Sequence, residues 1–229
     1  MITRLALLVI LAIVSTSSAL ARDTLIATGD SVLLQGSKND NEGANPRLTL
    51  AGSLFGKTRI VVAFDREATD RFIRTRGLTK ATLVLIIAET GVLLSKKGQA
   101  VDAYPLSSTF TEGNGKRIGV RRSDRTSGQG PGVTWNCASD RDITNVLQDC
   151  IDDWRGASSG APAAASVIHT KDWTGEVSWD VTADVRAGAV GWVLRKSQGW
   201  KWGSISYYSR EAARELGNIP LAPKLVLEP

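Results

Sequence analysis

The segment TRIVVAFD, Thr58 to Asp65, decides the fold: Ile60, Val62 and Phe64 fall on alternate positions, the period that gives a strand one apolar face. Short β-branched or aromatic runs with turn residues at their edges recur as SVLL (31–34), RLTLAG (47–52), KATLVLIIA (80–88), EVSWDVT (176–182), GWVLRKS (191–197), GSISYYS (203–209) and PKLVLEP (223–229). Many short strands and few long helical patterns predict an all-β jelly-roll β-sandwich, in which each sheet hides one face against the other. One segment departs from the strand period. DITNVLQDCIDDW (142–154) places Ile143, Val146, Leu147, Cys150, Ile151 and Trp154 at steps of three and four. This predicts one short helix over about 143–154, capped by Asp140 or Asp142 and ended by Gly156.

Residues 1–21, MITRLALLVILAIVSTSSALA, carry one Arg, an apolar stretch from Leu5 to Val14 and a small-residue finish at Ala19-Leu20-Ala21. That is the pattern of a secretory signal peptide. The apolar stretch is shorter than the roughly 20 residues of a bilayer span, and no second stretch of that length follows. The expectation is an exported protein without membrane insertion, at the cell surface, in the periplasm or in the medium, with residues 22–229 forming one domain. GASSGAPAAAS (156–166) reads as a surface loop rather than a linker. The chain has 28 Lys and Arg against 23 Asp and Glu. Loss of Arg4 with the leader leaves 27, an excess too small and too dispersed to mark a nucleic-acid protein. The one basic block, GKRIGVRRSDR (115–125), reads as an exposed charged loop, with attraction of an acidic polysaccharide as the functional alternative.

Cys137 and Cys150 are the only cysteines, and in an exported protein they are expected to pair, stapling the 143–154 segment to the strand before it. A zinc site built from them and His169 would lack ligands at the usual spacing. A Ser-His-Asp triad would have to use His169, the sole histidine, which has no Gly-x-Ser-x-Gly elbow nearby. Glu112 in FTEGNG and the pair Asp152-Asp153 are carboxylates of the kind glycoside hydrolysis needs, in a chain rich in acids. No catalytic residue is assigned.

Aromatic residues carry the ligand expectation, because sugar rings have apolar faces that stack on flat side chains. Trp135, Trp154, Trp179 and Trp192 lie inside apolar runs and read as core. Trp200 and Trp202, in the Gly-bounded turn KSQGWKWGS (196–204) with Lys196 and Lys201, are the candidate stacking pair, unless they only cover a sheet end. Trp173, beside His169 and Lys171, is a second candidate.

The ordered series NEGANPRLTLAG, RIVVAFD, KATLVLIIA, FTEGNG, GVTWNCA, VSWDVTADV, VGWVLRKS, YYSREA and APKLVLEP resembles the DNRLRE (disaggregatase-related) domain family of secreted microbial proteins. The resemblance runs from about residue 31 to 228. It implies a jelly roll similar to carbohydrate-binding modules, attached to polysaccharide-degrading or cell-surface proteins, with some members binding alginate. It also implies that Arg210 and Glu211 order a corner at the end of the penultimate strand, with Asp65 or Asp180 accepting the Arg210 guanidinium. Asn41 and Gly43 in NDNEGAN (39–45) become a turn before a strand rather than a calcium loop, which would need different spacing. A structural calcium is compatible with such modules, its ligands unassigned, and no other cofactor is implied. The expected function is non-catalytic binding of a polysaccharide or cell-surface glycan, with acidic, uronate-bearing glycans among the candidates. A structural or adhesive component of a surface layer, appendage or matrix, self-associating through sheet edges, is the alternative. A polysaccharide-degrading enzyme using Tyr or Lys as base is the third.

Overall fold

The computed structural model describes residues 22–51, 57–117, 125–126, 128–145, 147–157, 162–197 and 202–229. The predicted signal peptide, most of the basic block, and Trp200 and Lys201 lie outside the described residues. In chain order the strands are β1 (Asp23–Ile26), β2 (Gly29–Leu34), β3 (Arg47–Ala51), β4 (Thr58–Ala63), β5 (Lys80–Thr90), β6 (Gln99–Pro105), β7 (Lys116–Arg117) and β8 (Arg125–Thr126). They continue with β9 (Cys137–Asp140), β10 (Cys150–Asp153), β11 (Ala165–His169), β12 (Gly175–Asp180), β13 (Gly191–Lys196), β14 (Ser204–Tyr208) and β15 (Lys224–Glu228). The helices are α1 (Arg66–Arg76), α2 (Thr182–Arg186) and α3 (Arg210–Glu215). Among the described residues no helix is long and apolar enough to cross a membrane.

Two antiparallel sheets face each other, as the alternation in TRIVVAFD requires. One runs β11-β6-β13-β4-β2. The other centres on the long β5, with β12 along one side and β15 and β14 sharing the other, flanked by β1 and β3. From β2 to β6, and again from β11 to β14, the chain passes from one sheet to the other at each step, which is jelly-roll winding. Register sets the core. Ile60 faces Leu194 and Val62 faces Trp192 across β4 and β13, and all four are fully buried with Leu83, Leu85, Trp179 and Tyr207 between the sheets. The indoles keep their donors satisfied: Trp179 Nε1 donates to the Val101 carbonyl at 3.0 Å and Trp192 Nε1 to Asp184 Oδ2 at 2.9 Å.

The intervening positions Val61 and Val193 are also fully buried, in a second cluster with Leu33, Val133, Trp135 and Ala157. A covering layer formed by the segment around 133–157 therefore hides part of the other face of the β4–β13 sheet. This explains the unbroken apolar triplets IVV and WVL, which a strand with one wet face would interrupt.

The segment at 143–154 is not a helix. Asn145 ends a turn and Cys150–Asp153 is strand β10, paired with β9. Asp and Asn side chains take the backbone donors that a helix needs: Asp142 Oδ1 accepts from the N–H and hydroxyl of Thr144 at 3.0 and 2.7 Å, and Asn145 Oδ1 from the Leu147 N–H at 2.6 Å. Leu147 and Ile151, expected on a buried face, are 64% and 55% exposed. The disulfide is present, joining Cys137 to Cys150 with a Cα–Cα distance of 5.1 Å. It spans a sequence separation of 13, so its reduction is expected to lower stability by roughly 2 to 3 kcal/mol. The check is the urea midpoint with and without reductant, and coincident curves would refute the expectation.

Candidate functional site

Arg210 and Glu211 lie in the first turn of a short helix rather than at a strand-end turn. Ser209 is the N-cap of α3, its hydroxyl accepting from the Ala212 N–H at 3.1 Å, so the charge pair projects from the helix start. The carboxylates expected to hold Arg210 are engaged elsewhere. Asp65 caps α1, accepting from the Ala68 N–H at 2.8 Å. Asp180 is exposed and closes its own turn, accepting from the hydroxyl and N–H of Thr182 at 2.6 and 3.0 Å. Those hydrogen bonds hold its carboxyl below the usual range.

Arg210 meets Glu112 and Asp30 instead. Its Nη2 donates to Glu112 Oε2 and lies 3.6 Å from Glu211 Oε1, and its backbone N–H donates to Asp30 Oδ2 at 2.9 Å. Glu112 Oε1 in turn accepts the Asp30 N–H at 2.7 Å. The three elements β2, the 112 loop and α3 are thus closed into one ring of contacts. Asn41 positions the loop. Its Nδ2 donates to the carbonyls of Glu112 and Val133, both at 2.7 Å, while Oδ1 accepts the N–H groups of Gly43 and Gly115 at 3.1 and 2.7 Å. The chain passes so close here that a Cβ at Gly43 would stand 2.3 Å from the Glu112 carbonyl oxygen. Asn41 is therefore a structural hub, consistent with the turn expected in NDNEGAN. Burial, then the charge of Glu211, pushes the Asp30 carboxyl well above its ordinary range, and burial also raises Glu112.

A second constellation lies where β4 and β13 meet the covering layer. Arg59 faces Arg195 in register, and Arg195 faces Asp102 on β6. The Arg59 guanidinium stacks 4.7 Å from the Trp135 ring centre and that of Arg195 4.2 Å from Tyr104. Both arginines also hold the turn over them: Arg59 Nη1 donates to the Gly156 carbonyl and Arg195 Nη2 to the Ala157 carbonyl at 3.2 Å. That turn is left-handed, with φ of 64° at Gly156 and 52° at Ala157, and a Cβ at 156 would enter the Trp135 ring at 2.8 Å. Burial, followed by the neighbouring Arg195 charge, lowers Arg59 to about 10. Arg195 Nε is buried without a hydrogen-bond partner among the described residues. Burial lowers Arg195 as well, and the neighbouring Tyr104 and Asp102 oppose that shift.

The expected ligand residues divide. Trp202 is 55% exposed, as a stacking platform requires. Lys196 is half-buried at the end of β13, its Nζ donating to the Ala51 carbonyl, and burial lowers its pKa. Trp173 packs on the core with its ring 5.2 Å from His169, so it is not an open platform. His169 itself is fully buried, with Nδ1 3.0 Å from the Val167 carbonyl and Nε2 2.7 Å from Tyr207 Oη. A carbonyl only accepts, so Nδ1 carries the proton and Nε2 accepts from tyrosine. The sole histidine has no contact with solvent, and a His-based nucleophile has no access to substrate. No protein-family model matches the chain, and no curated protein matches it significantly in sequence.

Proposed function

We propose that the protein is an exported, non-catalytic polysaccharide-binding module that takes acidic glycans. The observation that carries the reading is the Arg59–Arg195 pair, stacked on Trp135 and Tyr104 beside a covering turn. A glycan carboxylate would meet two guanidiniums held in place by the rings they stack on, and the exposed Trp202 offers a plane for the apolar face of a sugar ring. The signal-peptide pattern and the resemblance to DNRLRE modules support the same reading, and the disulfide suits an oxidising compartment. The test is affinity electrophoresis or calorimetry against a polyuronate and a neutral glycan. Each charge-assisted contact is worth about 1.5 to 3 kcal/mol, so replacing both Arg59 and Arg195 by Gln is expected to weaken polyuronate binding by about ten-fold or more at low salt. Wild-type binding should weaken as ionic strength rises. Unchanged binding in the double variant together with loss in Trp202→Ala would move the site to the 196–204 turn.

A specific feature favours a second reading, assembly into a surface layer. Strand β11 is a sheet edge, and its Ile168 is 60% exposed. Failure to bind any glycan, with formation of fibres or sheets on concentration, would select it.

A further inference from the structure

We infer that Asp30, Glu112 and Glu211 form a binding site for one divalent cation of the calcium class. One carboxylate oxygen from each lies within 4.8 Å of the others. Oxygens sharing one calcium at about 2.3 to 2.6 Å are separated by no more than about 5 Å, so the three fit a single ion.

Two independent features point to a missing positive charge. Asp30 is 1% exposed, and its Oδ1 is buried with no hydrogen-bond partner among the described residues; Glu211 Oε2 is in the same condition. An acceptor in that state is costly unless something fills the place beside it. The charges give the second. With all three carboxylates ionised, the cluster carries two more negative charges than the guanidinium of Arg210 offsets, and one divalent ion neutralises that state.

The Asp30 backbone N–H donates to Glu112 Oε1, and its carboxyl accepts the Arg210 N–H through Oδ2, which leaves Oδ1 for an ion. An all-oxygen ligand set favours calcium or magnesium over softer metals. Magnesium keeps several of its waters in a strict octahedron, which suits a cluster with one side closed by Asp30 less well than calcium does. Glu112 and Arg210 side chains are 18% and 21% exposed, so the other side is open to an entering ion.

The cation assay contains no glycan, so its outcome is independent of the glycan reading. Protein stripped with chelator and then dialysed is titrated with calcium chloride in a calorimeter, with bound metal counted by equilibrium dialysis. One calcium per chain is expected, with a rise in melting temperature of about 5 °C or more at about 1 mM calcium and a smaller rise with magnesium. Glu211→Gln should weaken calcium binding by about ten-fold or more, and Asp30→Asn should do the same if it folds. Absence of bound calcium and of any melting shift at about 10 mM would overturn the inference. So would calcium binding at wild-type strength in a folded Glu211→Gln protein.

Discussion

Replacing Arg210 by Ala is expected to lower stability by about 3 kcal/mol, measured by urea unfolding in excess chelator. The side chain supplies the cation that meets Glu112 and Glu211 beside Asp30, and its removal leaves those carboxylates facing each other with burial against them. Breaking one side of a buried pair costs about 3 to 5 kcal/mol, and the partial exposure of Glu112 and Arg210 brings the expectation to the lower end. Arg210→Lys keeps the charge but not the planar fork, and should recover part of the loss. Asp65→Asn and Asp180→Asn should each cost about 1 kcal/mol or less, because those residues cap a helix and close a turn. An Arg210→Ala protein as stable as wild type, or one matched by Asp65→Asn, would refute the assignment of Glu112 and Asp30 as partners. Polyuronate affinity per folded molecule should not change, since Arg210 acts on the scaffold.

The partners of Arg210 mark the point where local sequence pattern stops being informative. Strands are legible because alternation of apolar and polar residues is a local property: Ile60, Val62 and Phe64 point inward whatever follows them. The disulfide is legible because two cysteines leave one pairing. Glu112 and Asp30 lie 98 and 180 residues from Arg210, and only the winding of β2, the 112 loop and α3 brings them together. FTEGNG shows the carboxylate but not its neighbour. The Arg59–Arg195 pair is hidden in the sequence for the same reason, since its register depends on which strand lies beside β4.

For helices, periodicity misleads in both directions. Between 143 and 154 the apolar spacing suits a helix, but Asp142 and Asn145 capture the backbone donors and the disulfide holds Cys150 against β9. At α1 the converse occurs, a mostly polar segment that helical periodicity does not mark. Its ends carry the signal, Asp65 accepting from Ala68 at the start and Gly77 with φ of 77° at the finish. Thr69 and Phe72 are its buried residues, enough to anchor one side.

Acid should destabilise the protein through His169, by about 3 kcal/mol between neutral pH and pH about 4. Burial lowers its pKa from 6.5 to about 4. The unfolded chain takes up the proton near the ordinary value while the native imidazole stays neutral, so protonation favours unfolding throughout that interval. This contribution is complete above about pH 6.5 and is lost as pH falls toward 4, at about 1.4 kcal/mol for each pH unit. Asp140, raised by burial and by the neighbouring Asp149 to about 6, acts with the opposite sign, because the native state binds its proton more tightly than the unfolded chain. The total acid profile mixes these with the raised Asp30 and Glu112 and the lowered Asp180, and the histidine must be isolated by difference. Gln at 169 can still accept from Tyr207, and it does not titrate. Wild type and His169→Gln, unfolded in urea at several pH values from 7 to 4, should diverge as pH falls, with wild type losing about 3 kcal/mol more. Parallel profiles would mean that the imidazole takes its proton in the folded protein as readily as in the unfolded one, against its seal between Trp173, Trp179 and Tyr207.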